Sequence, residues 1–164
     1  MAGRGGFEAI TPGDVDRLLA QPYAERWDYL EDGLEVAFGF PMDKAWVGIH
    51  RALSDGTLYG ALGEYPLDMA VLGDHLICQT GADDFVYLKH PPEVADIAAA
   101  LRELTREQFG EKLAALPETD EDAEALGLSL APTELPYVWP YFEDMRAFYR
   151  RAAAEGLAVL FSWG

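Results

Sequence analysis

The side chains with the clearest chemical potential in this sequence are three histidines and one cysteine. His50 stands out because imidazole acts as a base, an acid or a metal ligand near neutral pH. Trp46, Ile49 and Leu53 recur around it at the three- and four-residue spacing of a buried helical stripe. Asp43 lies two turns before His50, about 10 Å along a helix axis, so the two cannot pair directly. We predict that Asp43 caps this helix and that His50 is hydrogen-bonded at the edge of the core.

His75 and Cys78 have the spacing that first suggests a metal site. Residues three apart on a strand point to opposite faces, so these two would not converge on one ion. The sequence holds no second Cys/His pair, no phosphate-binding loop, no nucleophile elbow and no dinucleotide fingerprint. We therefore predict no metal and no cofactor, and a buried Cys78 that packs as a small hydrophobic residue.

Arg146 and Arg150 are one turn apart near the end of a predicted helix, in a sequence where positive charge is scarce. One interpretation is that they complement the helix dipole and pair with Glu143 or Asp144. The other is an anion or carboxylate pocket floored by these arginines and His50, which requires two helices to be adjacent. The residues that would line that candidate pocket are Asp43, Trp46, His50, Tyr65, Asp68, Arg146 and Arg150.

A cluster of aromatic residues lies between two prolines at the start of the same segment. Tyr137, Trp139 and Tyr141 are its candidate contact residues. Core packing is the ordinary explanation for such a cluster. The alternative is a surface for a protein partner, because aromatic side chains anchor interfaces.

Composition limits the classes of partner. The 164 residues carry 29 acidic and 12 basic side chains, a formal net charge of -17. Such a field repels phosphate backbones and anionic membranes, which argues against nucleic acid and lipid surfaces and favours a basic protein partner. No apolar run approaches the roughly 20 residues of a membrane-spanning helix, no secretory signal is recognisable, and one cysteine forms no internal disulfide. We expect a cytoplasmic protein.

Hydrophobic periodicity and turn residues predict an alternation of helices and short strands. Helices are expected at Pro12–Gln21, Tyr23–Asp32, Asp43–Leu53, Tyr65–Gly73, Pro91–Leu104, Thr105–Leu116 and Pro140–Gly156. Strands are expected at Gly6–Ile10, His75–Thr80, Phe85–Leu88 and Leu157–Trp163, and a strand or packed loop at Leu34–Phe40. The acidic run Glu118–Glu124 is predicted to be a solvated loop. No repeat or linker interrupts this order, so residues 1–164 are predicted to form one domain.

Several short motifs, taken in order, make the sequence resemble the bacterial YfbM-like family, a domain of unknown function. They are Asp43-Lys44-Ala45-Trp46 with His50, Pro66-Leu67 with Ala70-Val71-Leu72-Gly73, Tyr87-Leu88, Pro92-Glu93-Val94, and Phe148-Tyr149-Arg150-Arg151-Ala152-Ala153. Pro91 and the acidic run depart from the family pattern. The resemblance implies a single three-layer α/β/α domain with a small mixed central sheet and flanking helices, and no established activity.

Two hypotheses about function follow. The first is a non-enzymatic protein-binding module that docks a basic partner through its acidic surface; an immunity-type inhibitor of a basic toxin would fit the charge and size. The second is a small-molecule-binding protein or enzyme with a pocket around His50 and the last-helix arginines. We favour the first, because the net charge motivates it directly and no catalytic constellation is complete.

Overall fold

A computed structural model describes residues 3–58, 63–81, 84–118, 120–128 and 131–164. The strands are β1 (Gly5–Ile10), β2 (Phe38–Asp43), β3 (Leu76–Thr80), β4 (Asp84–Lys89) and β5 (Ala158–Trp163). The helices are α1 (Pro12–Ala20), α2 (Arg26–Asp32), α3 (Ala45–Leu53), α4 (Pro91–Glu103), α5 (Arg106–Ala114), α6 (Glu121–Ala125) and α7 (Leu135–Ala154). The predicted α/β class is confirmed, since the sheet lies between α1–α2 on one face and α3–α7 on the other.

The sheet has the strand order β2-β1-β5-β4-β3, and every pairing is antiparallel. The expectation of a mixed sheet is therefore wrong in this detail. Only residues 81–83 separate β3 from β4, a connection too short for the crossover that parallel strands need. The predicted buried strand near the C-terminus is confirmed as β5, which lies between β1 and β4.

Alternation along each strand divides the core between the two faces of the sheet. In β5, Phe161 and Trp163 point towards the α3–α7 layer, whereas Leu160 points towards α1 and α2. In β1, Phe7 points towards α3–α7, and its ring centroid lies 5.0 Å from that of Phe161. The aromatic side chains therefore concentrate on one face, and Glu8 of β1 is left on the other.

Helix α3 is the central packing element, as the apolar stripe predicts: all nine of its residues are buried. The prediction that Asp43 caps it is wrong. Asp43 is the last residue of β2, with a φ of 48°, and Lys44 occupies the N-cap position without a side-chain hydrogen bond. The strand continues past Phe40 because Pro41 and Asp43 remain paired with β1. Asp43 is therefore held in the strand, and the cap position of α3 falls on the next residue.

Helix α7 begins at Leu135, not near Pro140 as the sequence suggested. Pro136 lies in its first turn, where a missing N–H costs nothing, and Pro140 lies inside the helix. The interior proline removes one backbone hydrogen bond. Val138 and Phe142 on either side of it are fully buried, and this packing holds the helix through the proline.

Two further predictions about local structure are wrong. The segment Tyr65–Gly73 forms only a 3₁₀ turn, Leu67–Met69, in which Met69 and Ala70 donate to carbonyl groups three residues earlier. The carbonyls of Ala70 and Val71 accept hydrogen bonds from side chains of other elements. The acidic run is not simply a solvated loop, although residue 119 lies outside the described residues. Asp120 is buried and caps α6 by accepting from the backbone N–H groups of Asp122 and Ala123.

Candidate functional site

His50 lies in the core, on the buried face of α3. It is 2% exposed, and its Nε2 is 3.1 Å from the carbonyl oxygen of Leu58. A carbonyl only accepts, so Nε2 carries the proton. Burial, aided by the positive charge of Lys89, lowers the pKa of His50 to about 4. The imidazole is therefore neutral at neutral pH and serves as a structural hydrogen-bond donor.

Trp46 lies one turn before His50 on α3, and Asp43 is the last residue of β2. Trp46 is fully buried, and its Nε1 donates to the carbonyl of Gly3 at 2.9 Å. The Asp43 carboxylate pairs with Arg4 at 3.1 Å and accepts a 3.4 Å hydrogen bond from the Tyr137 hydroxyl. Burial and the neighbouring Tyr141 raise the pKa of Tyr137 to about 12. These residues tie the N-terminal segment and α7 to the start of α3.

Tyr65 and Asp68 lie in the segment that covers α4. Tyr65 is exposed, and its hydroxyl donates to Asp96 at 2.7 Å, which raises the pKa of Tyr65 to about 12. Asp68 has one buried carboxylate oxygen, Oδ1, without a hydrogen-bond partner among the described residues. Burial, followed by the charge of Asp74, raises the pKa of Asp68. Asp68 is thus the acidic residue of the 3₁₀ turn, and its surroundings disfavour its charged form.

Two buried polar side chains that the sequence reasoning missed hold this segment in place. Lys89, at the end of β4, is fully buried and donates from Nζ to the carbonyl of Val71. Tyr149 of α7 is also fully buried and donates to the carbonyl of Ala70 at 2.6 Å. Burial lowers the pKa of Lys89 well below its ordinary value. Strand alternation would have revealed Lys89, because it shares a face with Phe85 and Tyr87.

Arg146 and Arg150 line a groove of about 410 Å³ between α4 and α7. We call it the arginine groove; it is formed by Ala95, Ala98, Ala99, Arg102, Arg146, Arg150 and Ala153. Arg146 donates to the carbonyl of Leu104 at 3.0 Å, at the end of α4. The expected ion pairs with Glu143 or Asp144 do not form: among the described residues, no carboxylate lies within 4.0 Å of Arg146 or Arg150.

A second groove lies on the opposite face of the sheet, beside α2. We call it the acidic groove; it has a volume of about 270 Å³ and is formed by Glu8, Trp27, Leu30, Glu31, Val86, Leu160 and Ser162. Glu8 and Ser162 also line an adjoining cavity of about 410 Å³ over β1 and β2. Burial raises the pKa of Glu8. Neither Glu8 nor Glu31 has an ion pair or a hydrogen-bond partner in the described part of the chain.

The aromatic residues at the start of α7 are half-buried and divide between two neighbourhoods. The rings of Tyr137 and Tyr141 lie 5.5 Å apart beside Asp43. Trp139 packs on Phe109 and Phe142, with ring centroids at 5.9 and 5.2 Å, and the guanidinium of Arg146 lies 5.5 Å from the Trp139 ring. Trp139 therefore stands close to the arginine groove, while the two tyrosines do not line it.

The seven residues of the candidate pocket are thus only partly brought together. Arg146 and Arg150 share the arginine groove, whose lining includes none of the other five. His50 and Trp46 bond to backbone carbonyls in the core. Within the described ranges, no group of three or more His, Cys, Asp or Glu side chains is placed to hold a metal ion, and His75 bonds to Glu93 at 3.1 Å. No helix of the described chain is long and apolar enough to cross a membrane.

Comparison with known proteins confirms the resemblance found in the sequence. The model of a family described as a domain of unknown function (DUF1877) matches residues 1–162. Protein YfbM of Escherichia coli (strain K12) is 28% identical over 105 residues, covering 64% of this chain and 62% of YfbM, so the match spans less than two thirds of that relative. The crystal structure of YfbM, a protein of unknown function, gives a TM-score of 0.67 at 23% identity, covering 98% of this chain and 99% of that one. At that identity the likeness shows the fold alone.

Proposed function

The chain belongs to the family described as a domain of unknown function (DUF1877), and we propose that it is a non-enzymatic protein-binding module that docks a basic partner. The observation that carries the proposal is Glu8 in the acidic groove. Its carboxylate is half-buried and lacks a cationic partner among the described residues. A charge held near apolar surface without a partner costs stability. A lysine or arginine of a bound protein would neutralise it there.

The shape of the acidic groove supports a side chain as its occupant. Trp27, Leu30 and Leu160 supply an apolar wall, while Glu8 and Glu31 supply charge. An arginine or lysine has the matching form, an aliphatic stem that packs on apolar surface and a cationic head. A small pocket that excludes water around a charged pair is where the central contacts of protein interfaces concentrate.

The surface around the groove adds long-range attraction. The exposed carboxylates of α1, α2 and their flanking residues are Asp16, Glu25, Asp28, Glu31, Asp32 and Glu35. The basic residues of this region are already engaged: Arg17 pairs with Asp14 at 2.6 Å, and Arg26 donates to the carbonyls of Ile77 and Leu19. This face therefore presents uncompensated negative charge, which accelerates encounter with a basic protein. An inhibitor of a basic toxin is the form of this proposal that best fits the net charge of -17.

The experiment compares capture by the unchanged protein with capture by the double variant Glu8→Gln/Glu31→Gln. Proteins retained from a lysate of the source organism are identified, and the affinity of each purified candidate is measured by calorimetry at low and high salt. We expect a basic partner whose affinity falls at least about tenfold in the double variant and again between about 50 and 500 mM salt, because both changes weaken charge pairing.

The matched control is Glu107→Gln/Glu111→Gln, which removes the same charge from exposed positions on α5, in the other helical layer. It should bind the partner as the unchanged protein does. If both double variants weaken binding equally, the partner is attracted by the overall negative charge and not by the acidic groove, and the proposed docking site is wrong. If neither salt nor Glu8→Gln/Glu31→Gln changes the affinity of any captured protein, the proposal fails.

A further inference from the structure

We propose that the arginine groove between α4 and α7 binds a small amphiphilic anion, an apolar chain that ends in a carboxylate or phosphate. This site lies in the helical layer on the side of the sheet opposite the acidic groove and is independent of it. Three of the twelve basic residues of the sequence meet here, although the whole protein carries a net charge of -17. The charged residues that line the groove are therefore positive, whereas the protein as a whole is negative.

The three guanidinium groups differ in how firmly they are held. Arg146 is half-buried, bonds to the Leu104 carbonyl at 3.0 Å, and lies 5.7 Å from the ring of Phe142. Arg102 and Arg150 are both exposed. Arg102 pairs with the carboxylate of Glu103 at 3.4 Å, and both side chains of this pair are 76% exposed. The groove thus combines one fixed cation, Arg146, with Arg150, which has no partner among the described residues, and Arg102, whose exposed pair with Glu103 can exchange for an anion. Guanidinium groups bind carboxylates and phosphates through paired N–H donors.

The floor of the groove selects for an apolar body. Ala95, Ala98, Ala99 and Ala153 leave a channel of about 410 Å³ between the two helices, within the range of small-molecule sites. None of these methyl groups can hydrogen-bond with a polar ligand. A bare inorganic anion would leave the channel filled with water, whereas an alkyl chain would cover the alanines and place its charged end at the arginines.

The net charge of the protein limits the ligand to a small anion. A polyanion such as nucleic acid extends over many surface carboxylates and is repelled by them. An anion that fits inside the groove interacts mainly with the three arginines, because distant charges are screened beyond about 8 Å at physiological salt. Small size, one charged end and an apolar body together define the class of ligand.

The test titrates the full chain with octanoate and octyl phosphate below the concentrations at which they aggregate. Binding is measured by calorimetry and located from amide chemical shifts. We expect saturable binding with shift changes on α4 and α7, and whichever compound binds more tightly identifies the preferred headgroup. Acetate, inorganic phosphate and octyltrimethylammonium are the comparison probes, and each should bind at least about tenfold more weakly because it lacks the chain or has the wrong charge.

Two variants and one control link the binding to the groove. Arg150→Gln should weaken binding roughly fivefold, since it removes one exposed charge pair. Ala99→Leu, at an exposed position, fills the channel without changing charge and should abolish binding of the octyl anions. Arg151→Gln is the control, because this arginine lies over Phe38 and pairs with Glu155 outside the groove. It should bind as the unchanged protein does.

Several outcomes would overturn the proposal. Octyltrimethylammonium binding as tightly as octanoate would mean that the groove recognises only apolar chains. Equal weakening by Arg150→Gln and Arg151→Gln would mean a general charge effect, and full binding by Ala99→Leu would mean that the ligand lies elsewhere. Thermal unfolding of each variant is recorded alongside, so that a loss of binding is interpreted only for folded protein.

Discussion

Lys89 and Glu8 show two different ways in which this protein holds a charged residue against apolar side chains. Lys89 is fully buried, bonds to a backbone carbonyl, and has its pKa lowered by burial. Glu8 is half-buried on the opposite face of the sheet, and burial raises its pKa, yet it has no partner in the described part of the chain. The Lys89 amino group has a hydrogen-bond partner inside the protein, whereas the Glu8 carboxylate has none among the described residues.

The same contrast extends to the rest of the molecule. The buried polar and charged side chains include Asp14, His50, Arg51, Lys89, Asp120 and Tyr149, and each of these has a hydrogen-bond partner within the protein. By comparison, Glu8, Glu31 and Arg150 in the two grooves have none among the described residues. The interior groups bond to other parts of the chain, whereas these three groove side chains have no such partner in the described part of the chain. Three variants test that distinction.

Asp120→Ala should produce the largest loss of stability. The carboxylate of Asp120 accepts from the backbone N–H groups of Leu58 and Asp122 and lies 3.7 Å from the buried Arg51 guanidinium. Its removal leaves an uncompensated buried charge and an unpaired N–H, which together cost about 3–5 kcal/mol. Urea unfolding measures this change. The neighbouring exposed residue provides the control, since Asp122→Ala should change stability by less than about 0.5 kcal/mol; a similar loss in both variants would contradict the structural role of Asp120.

His50→Gln should change how stability depends on pH. The pKa of His50 is about 4 in the folded protein and 6.5 ordinarily. Between pH 6.5 and pH 4, the imidazole therefore binds a proton in the unfolded chain but not in the folded protein, and this favours unfolding. The unchanged protein should therefore lose about 3 kcal/mol of stability between pH 7 and pH 4 from this group, while a glutamine keeps a donor for Leu58 and does not titrate. Unfolding curves at several pH values compare the two proteins. A difference that stays constant with pH would show that the fold does not lower the pKa of His50.

Glu8→Gln should produce the smallest effect and the opposite sign. Because burial raises the pKa of Glu8, its charged form destabilises the fold above that pKa, and the neutral amide should be slightly more stable at pH 7, by no more than about 0.5 kcal/mol. The gain should disappear as the pH falls and the carboxyl of the unchanged protein is protonated. Denaturation at pH 7 and pH 4 measures it. A loss of stability at pH 7 would mean that Glu8 has an internal role like that of Asp120.

Much of the fold was predictable because local sequence patterns determine it. Thr105 and Gln108 form the predicted capping box of α5, the proline pair opens α4, and the apolar run that ends at Trp163 is a central strand. The predictions that Asp43 caps α3 and that α7 begins near Pro140 are wrong for the same reason. In both places, pairing with β1 or packing against the core extends an element beyond the point where local signals would end it.

The candidate sites were predictable only in part, because a site depends on residues that are distant in the sequence. Arg146 and Arg150 share a helical face, so their proximity followed from spacing alone. Their third partner, Arg102, comes from α4, and nothing in the spacing indicates that contact. Glu8 had no distinguishing signal, since it is one of 29 acidic residues. Only the uncovered face of the sheet beside α2 sets it apart.

The position of β5 in the sheet also has a consequence for how the chain folds during synthesis. This strand follows every other described element in the chain, yet it joins β1 to β4. Without β5, the pairings of the sheet would leave two separate strand pairs, β2-β1 and β4-β3, whose inner edges, β1 and β4, carry unpaired backbone groups. Because unpaired edges recruit other strands, the interval before β5 is made is the one in which the nascent chain is most prone to misassociation.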